Sequence, residues 1–256
     1  MGAYFDVAAS ISDIRLLLRV KSLPKSPDSR RVFIAGGTGY IGSALLPILL
    51  ERGHRARVLV RPGSKAQLPA ECEVVSGNPL DANSYRQLIR PADTFIHLVG
   101  VAHPARAKTA AFRSIDLAST REAVSACGEL GVQQFIYLSV AHPAPLGIMK
   151  NYVAVRAECE KMIQERMLNC SILRPWYVLG PGRRWPYLLL PFYKVCEWLP
   201  FARGAALRLG LVTLDELILA LIDAVESPVR GTRIIEVPAI RDAGVRLSRQ
   251  GARQTA

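Results

Sequence analysis

A tyrosine and an arginine four residues apart, in the stretch NYVAVRAECE (151–160), are the side chains of this sequence best suited to chemistry. Residues four apart on a helix share one face, so the heads of Tyr152 and Arg156 can converge. A phenol becomes a useful proton donor only when its pKa falls from about 10, and a fixed cation nearby has that effect. The pair therefore predicts either an acid–base centre or a helix face that holds a ligand.

The elements that must position this pair alternate between apolar strands and helices from residue 31 onward. The predicted strands are RVFIAG, ARVLVR, ECEVVSG, DTFIHLVG, VQQFIYLSV and CSILRP, and the predicted helices are YIGSALLPILLERG, SIDLASTREAVSACGELG and KNYVAVRAECEKMIQERM. Continuous apolar strands that alternate with helices indicate a parallel sheet covered on both faces. Right-handed crossovers then give a doubly wound α/β fold, which binds its ligand at the carboxyl ends of the strands.

A glycine-rich turn, GGTGYIG, joins the first predicted strand to the first predicted helix. The spacing of its glycines allows a tight turn, a close approach of backbone to a pyrophosphate, and tight packing of the helix on the sheet. The N–H groups and partial positive charge at the helix start then face the phosphates. The residues of this predicted dinucleotide site are Gly36, Thr38, Gly39, Tyr40, Ile41 and Gly42.

The residue that ends the second predicted strand indicates which dinucleotide binds. An acidic residue normally stands there when the ligand is NAD, since a carboxylate takes the ribose hydroxyls. This chain has Arg61 instead, followed by Pro-Gly-Ser64-Lys65. Arg61 can bind a 2′-phosphate bidentately, with Ser64 and Lys65 in reach, so NADP(H) is favoured over NAD(H). The alternative is that Arg61 is simply a solvated residue at a strand end.

With these features the chain resembles the short-chain dehydrogenase/reductases over about residues 31–241. The resemblance rests on VFIAGGTGYIGSALLPILLERGH, FIHLVG, QFIYLSV, YVAVRAECE, SILRPWYVLGPG and LGLVTLDELILALIDAVESP. More narrowly, the chain is similar to the atypical or extended branch of that family. This branch includes NAD-dependent epimerase/dehydratases and NAD(P)H-binding proteins similar to the Rossmann accessory subunit of respiratory complex I.

This resemblance implies roles for individual side chains. Ser139 would position the substrate, Tyr152 would donate or accept the proton, and Arg156 would stand in place of the family's lysine and bind the nicotinamide ribose. Asp116 stands where relatives often have asparagine, and the glycine-aspartate pair usual near the adenine is Gly77-Asn78 here. Further cofactor contacts implied by the resemblance are Asn78, Val99, Gly100 and Pro175.

Two functions are compatible with these residues. The first is an NAD(P)-dependent oxidoreductase or epimerase-like enzyme that acts on a carbonyl/alcohol pair, with the cofactor carrying hydride. The second is a non-catalytic NADP(H)-binding assembly or redox-sensing protein. The first is the leading interpretation. Arg156 discriminates between the two, because a guanidinium keeps the positive charge and can still bind the ribose but cannot relay a proton as the family's lysine is thought to do.

The histidines give weaker signals. The motif VAHPA occurs twice, at 101–105 and 140–144, so His103 and His142 are expected to flank the same cleft, either as a proton relay or by coincidence of loop chemistry. His97 lies inside an apolar predicted strand and is expected to be a satisfied core histidine. His54, in a predicted helix-to-strand turn, carries no functional signal.

The rest of the chain sets the domain organisation. We expect a loosely attached arm at 1–30, one dinucleotide-binding domain at 31–241 and a polar tail at 242–256. The segment RRWPYLLLPFYKVCEWLPFARG predicts a cap at about 183–210. Its aromatic and basic residues fit a small helical cap, an apolar substrate lid or a membrane-surface patch, but it is too short and interrupted to span a bilayer.

The charge and cysteine content of the chain limit the classes of partner that we expect it to bind. The formal net charge is +12, yet the basic residues are spread along the chain without a long run, and we expect no binding of nucleic acid. The five cysteines are scattered, which predicts reduced thiols in a cytoplasmic protein and no zinc site. The expected partner is a small molecule, apolar if the cap is a lid, with peripheral membrane contact as an addition.

Overall fold

The computed structural model describes residues 25–26, 28–64, 66–101, 106–142, 149–181 and 210–247. The strands are β1 (Arg31–Ala35), β2 (Arg55–Val60), β3 (Glu73–Ser76), β4 (Thr94–His97), β5 (Gln134–Leu138), β6 (Cys170–Arg174), β7 (Tyr177–Leu179), β8 (Leu211–Thr213) and β9 (Thr232–Glu236). Seven of them form one parallel sheet in the order β3-β2-β1-β4-β5-β6-β9. Strands β7 and β8 form a separate parallel pair. The predicted doubly wound fold is confirmed.

Helices cover both faces of the large sheet. They are α1 (Tyr40–Glu51), α2 (Arg86–Ile89), α3 (109–130), α4 (Lys150–Glu165), α5 (Leu214–Glu226) and α6 (Val237–Arg241). Within α3, the segment Phe112–Leu117 is π-helical. Alternate strand residues enter two cores: Val32 and Ile34 pack with α1 and α5, whereas Phe33 and Ala35 pack with α3 and α4. The parallel sheet is thus buried on both faces, as its continuous apolar strands predict.

The domain boundaries differ from the expected ones in detail. Strand β9 and the β7–β8 pair extend the six-strand pattern found in the sequence. Ala243 and Leu247, which the sequence analysis assigned to the polar tail, are buried in the first core, so packing continues past residue 241. Residues 1–24, 182–209 and 248–256, which carry most of the predicted arm, cap and tail, lie outside the described residues. Within the described ranges, no helix is long and apolar enough to cross a membrane.

A buried charge cluster joins the ends of α1 and α5. Arg52 donates two hydrogen bonds of 2.7 Å to the Glu226 carboxylate, and His54 Nε2 lies 3.2 Å from the same group. The backbone N–H of Arg30 donates to His54 Nδ1, so the ring hydrogen is on Nε2 and points at Glu226. Burial raises the pKa of Glu226, but hydrogen bonds from His54 and Arg52 outweigh it and lower the pKa below its usual value. His54 is therefore a structural residue.

We predict that Glu226→Gln lowers the free energy of unfolding by about 3 kcal/mol at neutral pH, since it removes the buried carboxylate that pairs with Arg52 and His54. The lowered pKa of Glu226 means that its contribution is present above the ordinary glutamate range and is lost as the pH falls through the folded-state value. Urea denaturation at several pH values measures both effects. The control is Glu165→Gln, which breaks the exposed Lys161–Glu165 pair and costs about 0.3–0.5 kcal/mol. Equal losses for the two variants would contradict the prediction.

Candidate cofactor-binding and catalytic site

The glycine turn follows β1 and fits the protein so closely that Gly36, Gly37 and Gly42 have no room for a side chain; a Cβ on Gly37 would lie 2.6 Å from Val58 Cγ1. Gly36 has φ +89°, and a Cβ on it would lie 2.7 Å from the carbonyl carbon of Leu98. A Cβ on Gly42 would lie 2.5 Å from the Gly36 carbonyl oxygen and the Gly37 Cα. The start of helix α1 therefore packs directly against the glycine turn. The other side of the turn packs against the segment that follows β4.

Gly39 is different, because its missing side chain opens toward solvent. A Cβ there would meet only the Gly36 carbonyl oxygen, at 3.3 Å. Gly39 is the N-cap of α1, and this end has no side-chain cap hydrogen bond and no acidic residue in the first turn. The positive end of the helix dipole is thus left for an external anion. The turn fits a pyrophosphate, held by the backbone around Gly39, with Thr38 exposed beside it.

The remaining predicted cofactor residues lie at the same edge of the sheet, after the carboxyl ends of β2, β3, β4 and β6. Arg61 and Ser64 are exposed in one turn, in which Ser64 N–H donates to the Arg61 carbonyl at 3.1 Å. The side-chain oxygen of Asn78 accepts from Leu80 N–H at 3.1 Å, so part of its hydrogen-bonding capacity is used within its own turn. The others at this edge are Val99, Gly100 and Pro175, whereas Lys65 lies outside the described residues.

Tyr40 and Ile41 contribute through the start of α1. The Tyr40 hydroxyl lies against Gly180, where any side chain would collide with it. Both residues pack against the core on the α1–α5 side of the sheet. Their backbone lies at the open helix end, while the Tyr40 ring reaches toward the β7–β8 pair.

The heads of Tyr152 and Arg156 converge on one face of α4, as their spacing predicts. The guanidinium carbon of Arg156 lies 5.3 Å from the centre of the Tyr152 ring, a cation–π distance. Phe112 packs on the same ring, with centroids 5.1 Å apart. Tyr152 is half-buried, and no described residue hydrogen-bonds its hydroxyl. Among the described residues, none competes with a ligand for this hydroxyl.

The Arg156 guanidinium is directed into the protein. Its Nη1 donates to the Tyr137 hydroxyl and to the Leu138 carbonyl, each at 3.0 Å. Its Nη2 lies 2.6 Å from Asp116 Oδ1, and the other Asp116 oxygen accepts from Val101 N–H at 3.1 Å. Both charged side chains are buried. The cation beside Tyr152 is thus one half of an ion pair.

Burial acts against both charges of this pair. It raises the pKa of the Asp116 carboxyl, although Arg156 and the Val101 N–H oppose the shift. Burial also disfavours the charged form of Arg156, but Tyr137, Tyr152 and Asp116 outweigh it and raise the pKa of Arg156 well above its usual value. A guanidinium stays protonated in proteins, so Arg156 is a permanent cation at this site.

Ser139 belongs to a second polar cluster, on the same face of α4 one turn further along. Its hydroxyl donates to the buried carboxylate of Glu160, which also accepts hydrogen bonds from Arg174 and lies 3.4 Å from His142 Nε2. A serine hydroxyl has one hydrogen, and here that hydrogen points at Glu160. The oxygen of Ser139 can still accept a hydrogen bond from the hydroxyl group of an alcohol substrate. Its role in positioning the substrate stays a prediction.

His97 is a core residue, as expected from its place in an apolar strand. Its ring stacks among Phe95, Phe135 and Tyr137, and burial together with Arg156 lowers its pKa to about 3, so it is neutral. Its Nε2 lies 3.3 Å from two hydroxyls of α3, while Nδ1 has no hydrogen-bond partner among the described residues. His103 lies outside the described residues, so the proposed pairing with His142 stays a prediction.

Sequence reasoning missed two carboxylates. Asp116 was noted only as a departure from relatives, and an aspartate in place of an asparagine signals only that a buried carboxylate needs a partner. Glu160 follows Arg156 by four residues on the buried face of α4, and a carboxylate on a buried face needs a partner. Neither partner could be named from the sequence, because Asp116 and Arg174 lie far along the chain.

Comparison with known proteins defines the class of protein. Residues 36–184, more than half of the chain, match the family described as NAD(P)H-binding. The chain belongs to this NAD(P)H-binding family, and the predicted family resemblance is confirmed.

The chain is similar to several named enzymes. It is 27% identical to the ceramide reductase of Caulobacter vibrioides, over 83% of this chain and 66% of that protein. It is 24% identical to the 4-hydroxy-2-methyl-3-oxo-4-farnesyl-3,4-dihydroquinoline-1-oxide ketoreductase of Stigmatella aurantiaca, over 59% of this chain and 51% of that protein. It is 29% identical to the 3-beta-hydroxysteroid dehydrogenase of Mycolicibacterium neoaurum, over 60% and 49%. The chain spans about half to two thirds of the length of these relatives.

Solved structures agree with the fold. The Bordetella bronchiseptica enzyme WbmH in complex with NAD+ superposes with a TM-score of 0.61 at 21% identity, covering 82% of this chain and 76% of that one. A putative epimerase from Burkholderia cenocepacia gives a TM-score of 0.58 at 21% identity, over 88% and 82%. At these identities the likeness shows the fold alone.

We predict that Gly39→Val abolishes binding of NADPH while the protein stays folded. The new side chain meets little of the protein itself but fills the space that a pyrophosphate needs. The matched variant is Gly42→Val, whose side chain collides with the turn and lowers stability. Fluorescence titration with NADPH and thermal unfolding by circular dichroism measure the two effects. Normal NADPH affinity in folded Gly39→Val would place the ligand elsewhere.

Proposed function

We propose that this chain is an NADP(H)-dependent oxidoreductase that interconverts an alcohol and a carbonyl group on a large apolar substrate. The observation that carries the proposal is the Tyr152 hydroxyl, which is open to a ligand, beside the fixed Arg156 cation. On this proposal the hydroxyl faces the sheet edge that carries the glycine turn, because Tyr152 lies in the first turn of α4, α4 follows β5, and β1, β4 and β5 are neighbours.

The chain's own residues supply binding and proton transfer. The backbone around Gly39 and the start of α1 would hold the pyrophosphate, and Arg61 with Ser64 would hold the adenosine 2′-phosphate. When bound, the cofactor supplies hydride transfer to or from the substrate carbon. In the reducing direction Tyr152 gives its hydroxyl proton to the carbonyl oxygen, and in the oxidising direction it takes the proton back. Arg156 stabilises the resulting phenolate by its charge.

The substrate class rests on the named relatives. Ceramide, a farnesyl-bearing quinoline and a hydroxysteroid all carry large hydrocarbon skeletons, and the names of the three enzymes are those of reductases or dehydrogenases. The sequence of residues 183–204, with its interleaved aromatic and basic residues, supports the same class. Such a segment also supports peripheral contact with a membrane, where substrates of this kind reside.

The rival function, a cofactor-binding protein without turnover, has an observation in its favour. Donors that the resemblance assigns to the cofactor and substrate are directed to groups inside the protein: Arg156 Nη1 donates to Tyr137 and Leu138, Nη2 lies 2.6 Å from Asp116, and Ser139 donates to Glu160. A binder retains NADPH but leaves it unoxidised with every carbonyl compound offered. A panel of long-chain ketones, ketosteroids and quinones, followed by NADPH absorbance, separates the two functions.

We predict that NADPH binds more tightly than NADH, and that Arg61→Ala removes the difference. A guanidinium–phosphate contact contributes about 1.5–3 kcal/mol, which corresponds to about 10–150-fold in Kd. The control is Arg55→Ala, at the opposite end of the same strand, where both affinities remain unchanged. Fluorescence titration with both dinucleotides measures the ratio. If Arg61→Ala weakens both equally, Arg61 does not read the 2′-phosphate.

We also predict that Tyr152→Phe lowers kcat by about 10²–10⁴, because the proton donor is lost while the ring and its packing remain. NADPH affinity and thermal stability serve as controls and stay at the wild-type values. The measurement is turnover of the best carbonyl compound from the panel. Unchanged kcat in Tyr152→Phe would exclude Tyr152 as the proton donor.

A further inference from the structure

We infer that Asp116 is a positioning residue, which holds the Arg156 guanidinium inside the protein against Tyr152 and away from the ribose of the cofactor. The inference rests on the proposed function only for its effect on turnover. Its effect on cofactor binding follows from the contacts alone. It departs from the role that the resemblance implies for the cation at this position, which is to bind the ribose.

The Asp116 carboxylate is buried and is held in one orientation. Asp116 is 0% exposed and lies in the π-helical segment of α3. One of its oxygens lies 2.6 Å from Arg156 Nη2, and the other accepts from Val101 N–H. Contacts to two different segments fix its orientation. Asp116 therefore holds the Arg156 guanidinium in a fixed position.

The partners of the Arg156 guanidinium lie inside the protein. Arg156 has five N–H donors in a planar fork. Those on Nη1 are given to Tyr137 and Leu138, and Nη2 faces Asp116. The Nε atom and the Asp116 oxygen nearest to Nη2 are buried without a hydrogen-bond partner among the described residues, so charge and proximity, rather than a hydrogen bond, hold Nη2 at Asp116. Because only 7% of the Arg156 side chain is exposed, a ribose contact would require the guanidinium to move outward.

The Arg156 guanidinium occupies space beside Gly100. The guanidinium lies directly against this residue, and any side chain there would collide with it. Gly100 follows β4, at the sheet edge where the cofactor is expected. The head of Arg156 thus lies against the backbone at Gly100. The absence of a side chain at Gly100 is what makes room for it.

Several titratable groups surround the Arg156 cation. The titratable groups that face Arg156 are Asp116 from α3, Tyr137 from β5, His97 from β4, and Tyr152 and Cys159 from α4. Burial keeps His97 neutral and raises the pKa of Tyr137 above its usual value, so Asp116 supplies the opposite charge in this group. Moving Arg156 to the ribose would leave a buried carboxylate unpaired, which is strongly unfavourable.

The test is a charge-neutral double variant, Asp116→Asn/Arg156→Met, which removes the pair without leaving a buried charge. Its control is Arg113→Met/Glu158→Gln, which removes an exposed pair, 3.0 Å apart, that joins the same two helices. If the Met variant does not fold, Asp116→Asn/Arg156→Gln replaces it, because glutamine retains hydrogen bonding toward Tyr137. Thermal unfolding establishes which variants are folded.

The first readout is the Kd for NADPH, measured by fluorescence titration without any substrate. We expect the folded double variant and its control to bind NADPH as tightly as the wild-type chain. Weakening by more than about tenfold, the loss expected when one charge-assisted contact is removed, would show that Arg156 binds the ribose and would overturn the inference.

The second readout compares the effect of the double variant on kcat with its effect on the Kd for NADPH. With a carbonyl substrate in hand, we expect the double variant to lower kcat while the Kd for NADPH stays constant. Equal kcat values in double variant and control would overturn the positioning role. A chain that binds NADPH with the predicted pattern but turns over nothing would instead refute the proposed function and leave the placement of Arg156 intact.

Discussion

The buried ion pair between Arg156 and Asp116 is the contact around which the site is organised. It ties α4 to the π-helical segment of α3, and through Tyr137 and Leu138 it also ties α4 to β5. A guanidinium taken out of water is tolerated only with a counter-ion and satisfied donors. The same contacts that make its burial possible also fix its distance from Tyr152. The burial of the guanidinium and the proton transfer proposed for Tyr152 thus involve one set of atoms.

The sheet order brings the cofactor turn to this pair. Ala35, His97 and Tyr137 are register partners across β1, β4 and β5. The residues that follow these three strands therefore lie side by side at one edge, and they include the glycine turn, Gly100 and Ser139. The segment after β4 is also what excludes a side chain at Gly36. The glycine turn and the start of α4 thus follow parallel strands that end at one edge, which is where doubly wound folds bind their ligands.

Most of the fold was predictable because its signals are local. Strand and helix periodicity, the glycine spacing and the four-residue separation on α4 each act within one element. The parts that were not predictable depend on contacts between distant segments: Asp116 with Arg156, Glu160 with Ser139 and Arg174, and Glu226 with Arg52 and His54. Buried polar side chains give a sequence signal only that a partner must exist. Which residue provides it is decided by the topology.

The most direct test of this account is a crystal structure of the chain with NADP+. The account predicts the pyrophosphate on the turn between Gly36 and Gly42, the 2′-phosphate at Arg61, and the nicotinamide facing the Tyr152 hydroxyl, while Arg156 remains paired with Asp116. An NADP+ molecule bound away from the glycine turn would contradict the cofactor site. An Arg156 side chain that has left Asp116 to bind the ribose would contradict the central role given to the ion pair.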